Sequence, residues 1–266
     1  MKDPFGREIT YLRVSVTDRC NLRCRYCMPP GGVEWVPHRE ILSFEEIAEV
    51  VRAAVGLGVD KVRLTGGEPL VRKGVVDLVA MISSIPGVRD VAMTTNGLLL
   101  GEHAAALAGA GLRRVNVSLD AADPERFREI TRGGDLARVL RGIEAARAAG
   151  LSPVKLNCVV ESSPEEPDAR SVARFARERG LEVRFIPRMD LQAGTFSRVI
   201  GGGGGDCARC NRLRLTSRGK VKPCLFSDVE FGVRDLGARE AILRAVGSKP
   251  EAGTCARGEG IHAIGG

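Results

Sequence analysis

The chain has 266 residues, of which 44% are hydrophobic, enough for one large domain with a small appendage or for two modest domains. It contains no apolar run long enough to span a membrane and no apolar signal-peptide core near residue 1, so we expect a cytoplasmic protein. The formal net charge is +7, but only 4% of residues are aromatic and the basic residues are scattered, so nucleic-acid binding is not expected.

Six short apolar segments alternate with amphipathic segments between residues 11 and 188. The apolar segments are rich in Val, Ile and Leu, which is typical of parallel strands that are buried on both faces. We therefore predict strands at 11–16, 61–65, 90–94, 114–119, 154–160 and 182–187.

The segments between the predicted strands carry the signals of amphipathic helices. Ser43 and Glu46 form a capping-box pattern ahead of an apolar stripe. Asp123 and Pro124 open another helix, and a third stripe begins at Leu136. Six strand–helix repeats predict an α/β fold, a partial (βα)6 TIM-like barrel with its chemistry at the carboxyl ends of the strands.

The distribution of polar and glycine-rich segments agrees with that fold and predicts three parts. CNLRCRYC at 20–27, GGEP at 66–69 and TNG at 95–97 each follow a predicted strand. A run of five glycines, 201–205, indicates a linker. We predict a partial barrel at 1–189, a shortened glycine-rich linker at 190–206 and a small cysteine-bearing domain at 207–266.

The first cysteine group is Cys20, Cys24 and Cys27, with C-x3-C-x2-C spacing. Such grouping in a cytoplasmic protein favours metal over disulfides. Three thiolates can hold three irons of a 4Fe–4S cubane and leave the fourth iron open to a ligand. A zinc site or an ordinary electron-transfer cluster is the alternative, but both usually need a fourth protein ligand nearby, and the next cysteine is Cys158.

The second cysteine group is Cys207, Cys210 and Cys224, with C-x2-C-x13-C spacing. The spacing alone leaves two interpretations open. With Cys255 the group could form a four-cysteine zinc ribbon, and without it a second cluster with one open iron. The basic residues between the second and third cysteines could bind an anionic ligand.

The two cysteine groups together resemble the GTP 3′,8-cyclase family of the radical S-adenosylmethionine (SAM) superfamily. The similar segments are FGR at 5–7, YLRVSVTDRCNLRCRYCMP at 11–29, KVRLTGGEPL at 61–70, TTNG at 94–97, NVSLD at 116–120, RFIPRM at 184–189, CNRLRLTSRGKVKPCLF at 210–226 and IGG at 264–266. The resemblance implies an enzyme of molybdenum cofactor biosynthesis with a barrel and a small C-terminal iron–sulfur domain. It also implies GTP as substrate, an external electron donor, the next pathway enzyme as product acceptor, and a homodimer.

The resemblance implies roles for individual residues. Cys20, Cys24 and Cys27 would ligate a 4Fe–4S cluster that binds SAM, and Cys207, Cys210 and Cys224 a second 4Fe–4S cluster against the guanine base. The implied SAM contacts are Tyr26, Gly67, Ser118 and Met189. The implied GTP contacts are Arg13, Arg63, Thr94, Lys155, Arg212, Leu213 and Arg214, and the catalytic tail is Gly265 and Gly266.

The implied reaction is a radical cyclisation. A 5′-deoxyadenosyl radical from SAM takes a hydrogen atom from the ribose 3′ carbon of GTP, and the sugar radical attacks C8 of guanine. Reduction of the resulting radical by one electron, with uptake of a proton, then gives 3′,8-cyclo-7,8-dihydro-GTP. The alternatives are another radical SAM enzyme with an auxiliary cluster, such as a peptide-modifying maturase, and a shortened paralogue that binds metal without turnover.

The chain departs from the family in one connection. Only 17 residues separate Met189 from Cys207, whereas the family connection is several dozen residues longer. Every similar segment on either side of this connection is complete. We therefore predict that the shortening removes outlying structure and keeps both cysteine groups at one barrel mouth.

Overall fold

The inner sheet contains the six predicted parallel strands. The computed structural model describes residues 1–258 and 260–264, without the side chain of His262. The parallel strands are β1 (Tyr11–Ser15), β2 (Lys61–Thr65), β3 (Asp90–Thr95), β4 (Arg114–Ser118), β5 (Val154–Val160) and β6 (Glu182–Pro187). Each agrees with its prediction to within one residue, because continuous apolar character marks strands that are covered on both faces.

Three further strands extend the sheet beyond β1: β7 (Arg212–Leu215), β8 (Lys220–Lys222) and β9 (Phe231–Gly232). The strand order is β6-β5-β4-β3-β2-β1-β7-β8-β9, with β7 parallel to β1 and the last two strands antiparallel. Within the described residues this order does not close into a ring, so the predicted partial barrel is confirmed.

The helices are α1 (Phe44–Val55), α2 (Val75–Ser83), α3 (Leu100–Gly109), α4 (Pro124–Thr131), α5 (Leu136–Ala148), α6 (Pro167–Glu178), α7 (Val233–Leu236), α8 (Ala238–Gly247) and α9 (Ile261–Ile264). The predicted capping box begins α1, where the Glu46 N–H donates to the Ser43 hydroxyl at 3.2 Å and the Ser43 N–H to the Glu46 carboxylate at 2.7 Å. None of the helices described here combines the length and apolar character that crossing a membrane requires.

Strand β1 has an apolar outer face and a polar inner face. On β1, Leu12 and Val14 are fully buried in the main core, together with apolar residues of the helices. Tyr11 and Arg13 alternate with them and line a cavity inside the barrel. Because successive side chains of a strand point to opposite faces, one strand contributes apolar residues to the core and polar residues to the barrel interior.

The segment at 190–206 folds back against the edge of the barrel. Ile200 and Phe185 of β6 form an antiparallel bridge, with N···O distances of 2.9 and 3.0 Å. Gly201 and Gly205 have φ angles of 77° and 73°, in the left-handed region that favours glycine. The glycine run therefore turns tightly at the cavity mouth. The predicted division of the chain into three parts, with boundaries at 189 and 207, stays a prediction.

Candidate active site

Two adjoining cavities lie inside the barrel. The larger, of about 520 Å³, is lined by inner-face residues of the strands and by the second cysteine group. The smaller, of about 170 Å³, lies beside the first cysteine group at the carboxyl ends of the strands. Thr94, Asn157, Ile186 and Met189 line both cavities, so ligands in the two would meet at these residues.

The first cysteine group lies on the loop after β1, and all three thiols line the smaller cavity. The Leu22 N–H donates to the Cys20 Sγ at 3.4 Å, and the Asn96 amide donates to the same sulfur at 3.8 Å. Burial raises the pKa of Cys20 to about 11 and that of Cys27 to about 12. The thiols therefore keep their protons at neutral pH, and a metal that binds them would displace those protons.

The GGEP loop after β2 packs directly on the cysteine loop. The Gly67 N–H donates to the Thr17 carbonyl at 2.8 Å, and the Glu68 N–H donates to the Arg19 carbonyl at 2.8 Å. A Cβ atom on Gly67 would collide with the backbone of Arg19, and one on Gly66 would lie 2.5 Å from the Thr17 oxygen. Both glycines are therefore required for the close approach of two backbones.

We expect Gly67→Ala to push the GGEP loop away from Arg19 and so to displace Cys20, the next residue. SAM affinity should fall at least about tenfold, or about 1.4 kcal/mol, as measured by equilibrium dialysis of the iron-reconstituted chain. Gly109→Ala in α3 is the control, because a Cβ atom there meets nothing within 4 Å. Equal SAM affinity in Gly67→Ala and the unaltered chain would contradict this packing role.

Glu68 links the loops after β2 and β3. Its side chain is 1% exposed and accepts hydrogen bonds from the Asn96 N–H at 2.6 Å and the Thr95 hydroxyl at 2.7 Å. Burial raises the pKa of Glu68 to about 7. Hydrogen bonds to the carboxyl group from the Asn96 N–H, the Thr95 hydroxyl and the Leu70 N–H limit that rise, so Glu68 titrates near neutral pH at the cavity wall.

Asp120 ties the cysteine loop to the strand ends. It accepts a hydrogen bond from the Tyr26 hydroxyl at 2.8 Å and another from the Val159 N–H at 2.8 Å. Burial raises the pKa of Asp120 to about 6, so the carboxylate form still predominates at neutral pH. With Glu68, it gives the smaller cavity two acidic groups, which suits a ligand with positive charge.

The second cysteine group lines the larger cavity through Cys207, Cys210 and Cys224. Cys255, the fourth ligand that a zinc ribbon would need, is not among the described lining residues. Burial acts to raise the pKa of Cys210, but the Lys249 ammonium and the Arg212 guanidinium outweigh it and lower that pKa. Nearby cations thus favour the thiolate that a metal would need.

The larger cavity is strongly basic. Its described lining includes eight cationic side chains: Arg13, Lys61, Arg63, Arg114, Arg184, Arg212, Arg214 and Lys249. The one carboxylate in the same described lining is Asp206, which pairs with Arg209 at 2.9 Å and Arg198 at 3.4 Å. Cations repel one another in a confined space, so this wall is suited to a polyanionic ligand.

Arg63 is oriented by its neighbours on β1 and β3. Its Nε donates to the Tyr11 hydroxyl at 2.5 Å, and its guanidinium also donates to the Thr94 hydroxyl at 3.1 Å. Burial acts to raise the pKa of Tyr11, but the guanidinium groups of Arg63, Arg13 and Arg212 outweigh it and lower that pKa. Arg63 therefore connects the basic wall to Thr94, which both cavities share.

The structure brings most of the predicted site residues together. Tyr26, Gly67, Ser118 and Met189 line the smaller cavity with the first three cysteines, while Arg13, Arg63, Arg212 and Arg214 line the larger one, and Thr94 lines both. Their roles stay predictions. Gly265 and Gly266 lie outside the described residues.

Two predicted GTP contacts are placed elsewhere. Lys155 lies on β5 but outside the described lining of both cavities, because its ammonium pairs with Glu182, its neighbour in the β5–β6 register. Leu213 is 0% exposed and packs in the main core on the outer face of β7. Its side chain therefore cannot face a ligand in the cavity, which leaves only its backbone for such a contact.

Several lining residues were missed by the sequence analysis: Lys61, Arg114, Asn116, Asn157, Arg184 and Lys249. Strand alternation could have found Lys61, which stands two residues before Arg63 and so on the same face of β2. The same rule applies to Asn116, two residues before Ser118. Lys249 follows α8 and comes near the cysteines only through the tertiary fold, so no local pattern marks it.

Comparison with known proteins defines the class of this fold and site. The sequence profile of the Radical SAM superfamily matches residues 14–175. The fold is similar to that of anSMEcpe with bound AdoMet, with a TM-score of 0.67 at 16% identity over 91% of this chain and 81% of that one. It is also similar to SuiB of Streptococcus suis, with a TM-score of 0.62 at 14% identity over 92% and 67% of the two chains. The chain is a member of the radical SAM superfamily.

Closer relatives define the family within that class. The GTP 3′,8-cyclase of Pelotomaculum thermopropionicum is 44% identical over 306 positions, which cover 94% of each chain. That of Moorella thermoacetica is 43% identical, over 92% of this chain and 91% of the relative. This chain belongs to the GTP 3′,8-cyclase family. Because the alignments are longer than the 266-residue chain, these relatives carry segments that it lacks.

Proposed function

We propose that this chain is a GTP 3′,8-cyclase that converts GTP to 3′,8-cyclo-7,8-dihydro-GTP with SAM and two 4Fe–4S clusters. The observation that carries the proposal is the pair of adjoining cavities. One combines three thiols with two acidic groups, and the other combines three thiols with a strongly basic wall. The first suits SAM, which has ammonium and sulfonium groups, and the second suits a nucleoside triphosphate.

The residues of the smaller cavity fit a SAM-binding cluster. Cys20, Cys24 and Cys27 would be its ligands, and Tyr26, Gly67, Ser118 and Met189 would contact SAM. When bound and reduced, the cluster supplies the electron that cleaves SAM to methionine and a 5′-deoxyadenosyl radical. Glu68 and Asp120 hold the surrounding loops and provide negative charge toward the cationic groups of SAM.

The residues of the larger cavity fit a second cluster and a triphosphate. Cys207, Cys210 and Cys224 would ligate the cluster, with Lys249 and Arg212 stabilising the thiolate of Cys210. The guanidinium groups of Arg13, Arg63, Arg212 and Arg214 would bind the phosphates, since a planar fork of donors matches phosphate geometry.

The residues shared by the two cavities would hold the reacting groups together. Thr94, Asn157, Ile186 and Met189 line the place where the SAM nucleoside and the GTP ribose would meet. A fixed wall there reduces the loss of translational and rotational entropy that the hydrogen transfer requires. Phe196 and Gly202 of the 190–206 segment also line the larger cavity, which limits the access of water to the radical.

The remaining assignments complete the proposal. Lys155 would reach a phosphate by exchanging Glu182 for it, Leu213 would act through its backbone, and Gly265 and Gly266 would enter the site. An external electron donor, the next enzyme of the molybdopterin pathway and a second copy of the chain are the proposed partners. Grouped thiols require a reducing compartment, so we assign the protein to the cytoplasm.

Anaerobic incubation with SAM, GTP and a strong reductant tests this function. We expect 5′-deoxyadenosine and a cyclised nucleotide, with no cyclised product when SAM or GTP is omitted. Bound metal with neither 5′-deoxyadenosine nor a cyclised nucleotide formed would instead support the metal-binding paralogue.

A further inference from the structure

A buried ammonium joins the two backbone segments that carry Cys210 and Cys224. Lys249, 3% exposed, donates to the Pro223 carbonyl at 2.6 Å and to the Arg212 carbonyl at 2.8 Å. Pro223 immediately precedes Cys224, and Arg212 follows Cys210 by two residues. One side chain thus fixes the separation of two proposed cluster ligands.

A second cation fixes the backbone of the remaining ligand. Arg7, from the FGR segment that the proposed function leaves unused, donates to the Cys207 carbonyl at 2.7 Å. It also donates to the Pro250 carbonyl at 2.6 Å and the Glu251 carbonyl at 2.8 Å. Since Pro250 follows Lys249 directly, the two cations are connected through one loop.

The two cations differ in how their charge is balanced. Arg7 Nε donates to the fully buried carboxylate of Asp3 at 2.6 Å, so its charge is paired. Lys249 has no carboxylate partner among the described residues, and its charge interacts instead with the Cys210 and Cys224 thiols. Burying an ammonium is costly unless an opposite charge lies close to it. When the second group holds a cluster, its metal-bound thiolates would supply that charge.

We propose that Lys249 is a positioning residue for the second iron–sulfur cluster: it fixes the backbone of two cysteine ligands and places a positive charge beside the cluster, while Arg7 fixes the third ligand. The inference rests on the second cluster proposed above. Reduction adds a negative charge to a cluster that three thiolates already make anionic. A fixed cation in a buried site therefore favours the reduced state and raises the midpoint potential.

The test isolates the second cluster in the full-length chain with Cys20, Cys24 and Cys27 changed to Ala. We expect about four irons after anaerobic reconstitution. In that background Lys249→Gln keeps hydrogen-bond donors but removes the charge. At a fixed potential, its ratio of reduced to oxidised cluster should fall about tenfold, equivalent to about 59 mV for one electron, in an EPR-monitored redox titration.

Three further variants separate charge from scaffolding. Lys249→Arg keeps the charge and should keep the potential, and Arg7→Gln should lose iron with little shift in potential. Arg244→Gln is the control, since it removes an exposed cation of α8 that pairs with Glu240, and it should change neither quantity. An unchanged midpoint potential in Lys249→Gln would overturn the role of the charge. So would a midpoint potential that falls as far in Lys249→Arg as in Lys249→Gln. If the chain without the first three cysteines binds no iron, the second cluster is overturned, and the positioning role of Lys249 with it.

Discussion

Cys24→Ala and Cys210→Ala are expected to divide the reaction into its two halves. Cys24→Ala should abolish SAM cleavage, because three thiolates are the minimum that holds a cubane with one open iron. Cys210→Ala should leave SAM cleavage intact but uncoupled and should stop product formation, because the second cluster, which we propose binds the guanine base, would be lost. Each change should lower the iron content from about eight to about four per chain.

The measurement is the yield of 5′-deoxyadenosine and of cyclised nucleotide per chain, by mass spectrometry under anaerobic conditions. Cys255→Ala is the matched control, because this half-buried cysteine is not among the described residues that line the larger cavity. It should keep both yields and all of its iron. Cleavage that survives Cys24→Ala, or cyclisation that survives Cys210→Ala, would contradict the assignment of the two groups.

Arg63→Ala is expected to give the second large effect, on GTP binding. Arg63 is 3% exposed and already oriented by Tyr11 and Thr94, so a phosphate would gain a fixed donor. Its removal should weaken GTP binding by about 1.5–3 kcal/mol, the usual contribution of a hydrogen bond to a charged group. Calorimetric titration with GTP would measure this, and SAM affinity should stay the same.

A surface arginine provides the control for that experiment. Arg147→Ala removes an exposed guanidinium of α5 that pairs with Glu144 at 3.6 Å. Such exposed ion pairs contribute little to the stability of the fold. It lowers the net charge by the same amount as Arg63→Ala. A similar GTP affinity in both variants would show that general charge, and not this guanidinium, governs binding. Thermal unfolding of each variant identifies any loss that comes from instability.

The fold was largely predictable because its signals are local. Leu12 and Val14 belong to an apolar strand, and Ser43 with Glu46 to a helix start, so each element is encoded by residues close in sequence. The first cysteine group is also encoded locally, because its three cysteines lie within residues 20–27. Alternation along β1 even separates the core residues from Arg13, which the structure places in the cavity.

The remaining site residues depend on contacts that sequence spacing does not encode. Lys249 reaches Pro223 only after α8 has packed, and Arg7 reaches Cys207 across 200 positions of the chain. The pairing of Lys155 with Glu182 depends on the register of β5 and β6. Such contacts are set by strand pairing and helix packing, and therefore need coordinates.

The glycine run shows a related limit. Composition at 201–205 predicts a flexible linker, whereas Ile200 pairs with Phe185 immediately before it. The reason is that β6 ends the sheet order and presents unpaired backbone groups, and an adjacent segment can satisfy them. The tight turns that follow Ile200 use the glycines' left-handed conformations. The connection thus covers part of the cavity although it is short.

The most direct test of the central claim, that two ligands meet inside this barrel for a radical cyclisation, is the fate of the hydrogen at the ribose 3′ carbon. GTP with deuterium at that carbon would be incubated anaerobically with SAM, reductant and the reconstituted chain. If the two ligands meet as proposed, the 5′-deoxyadenosine will carry one deuterium and the cyclised nucleotide will have lost it. Unlabelled 5′-deoxyadenosine, with the deuterium retained in unreacted GTP, would contradict that claim.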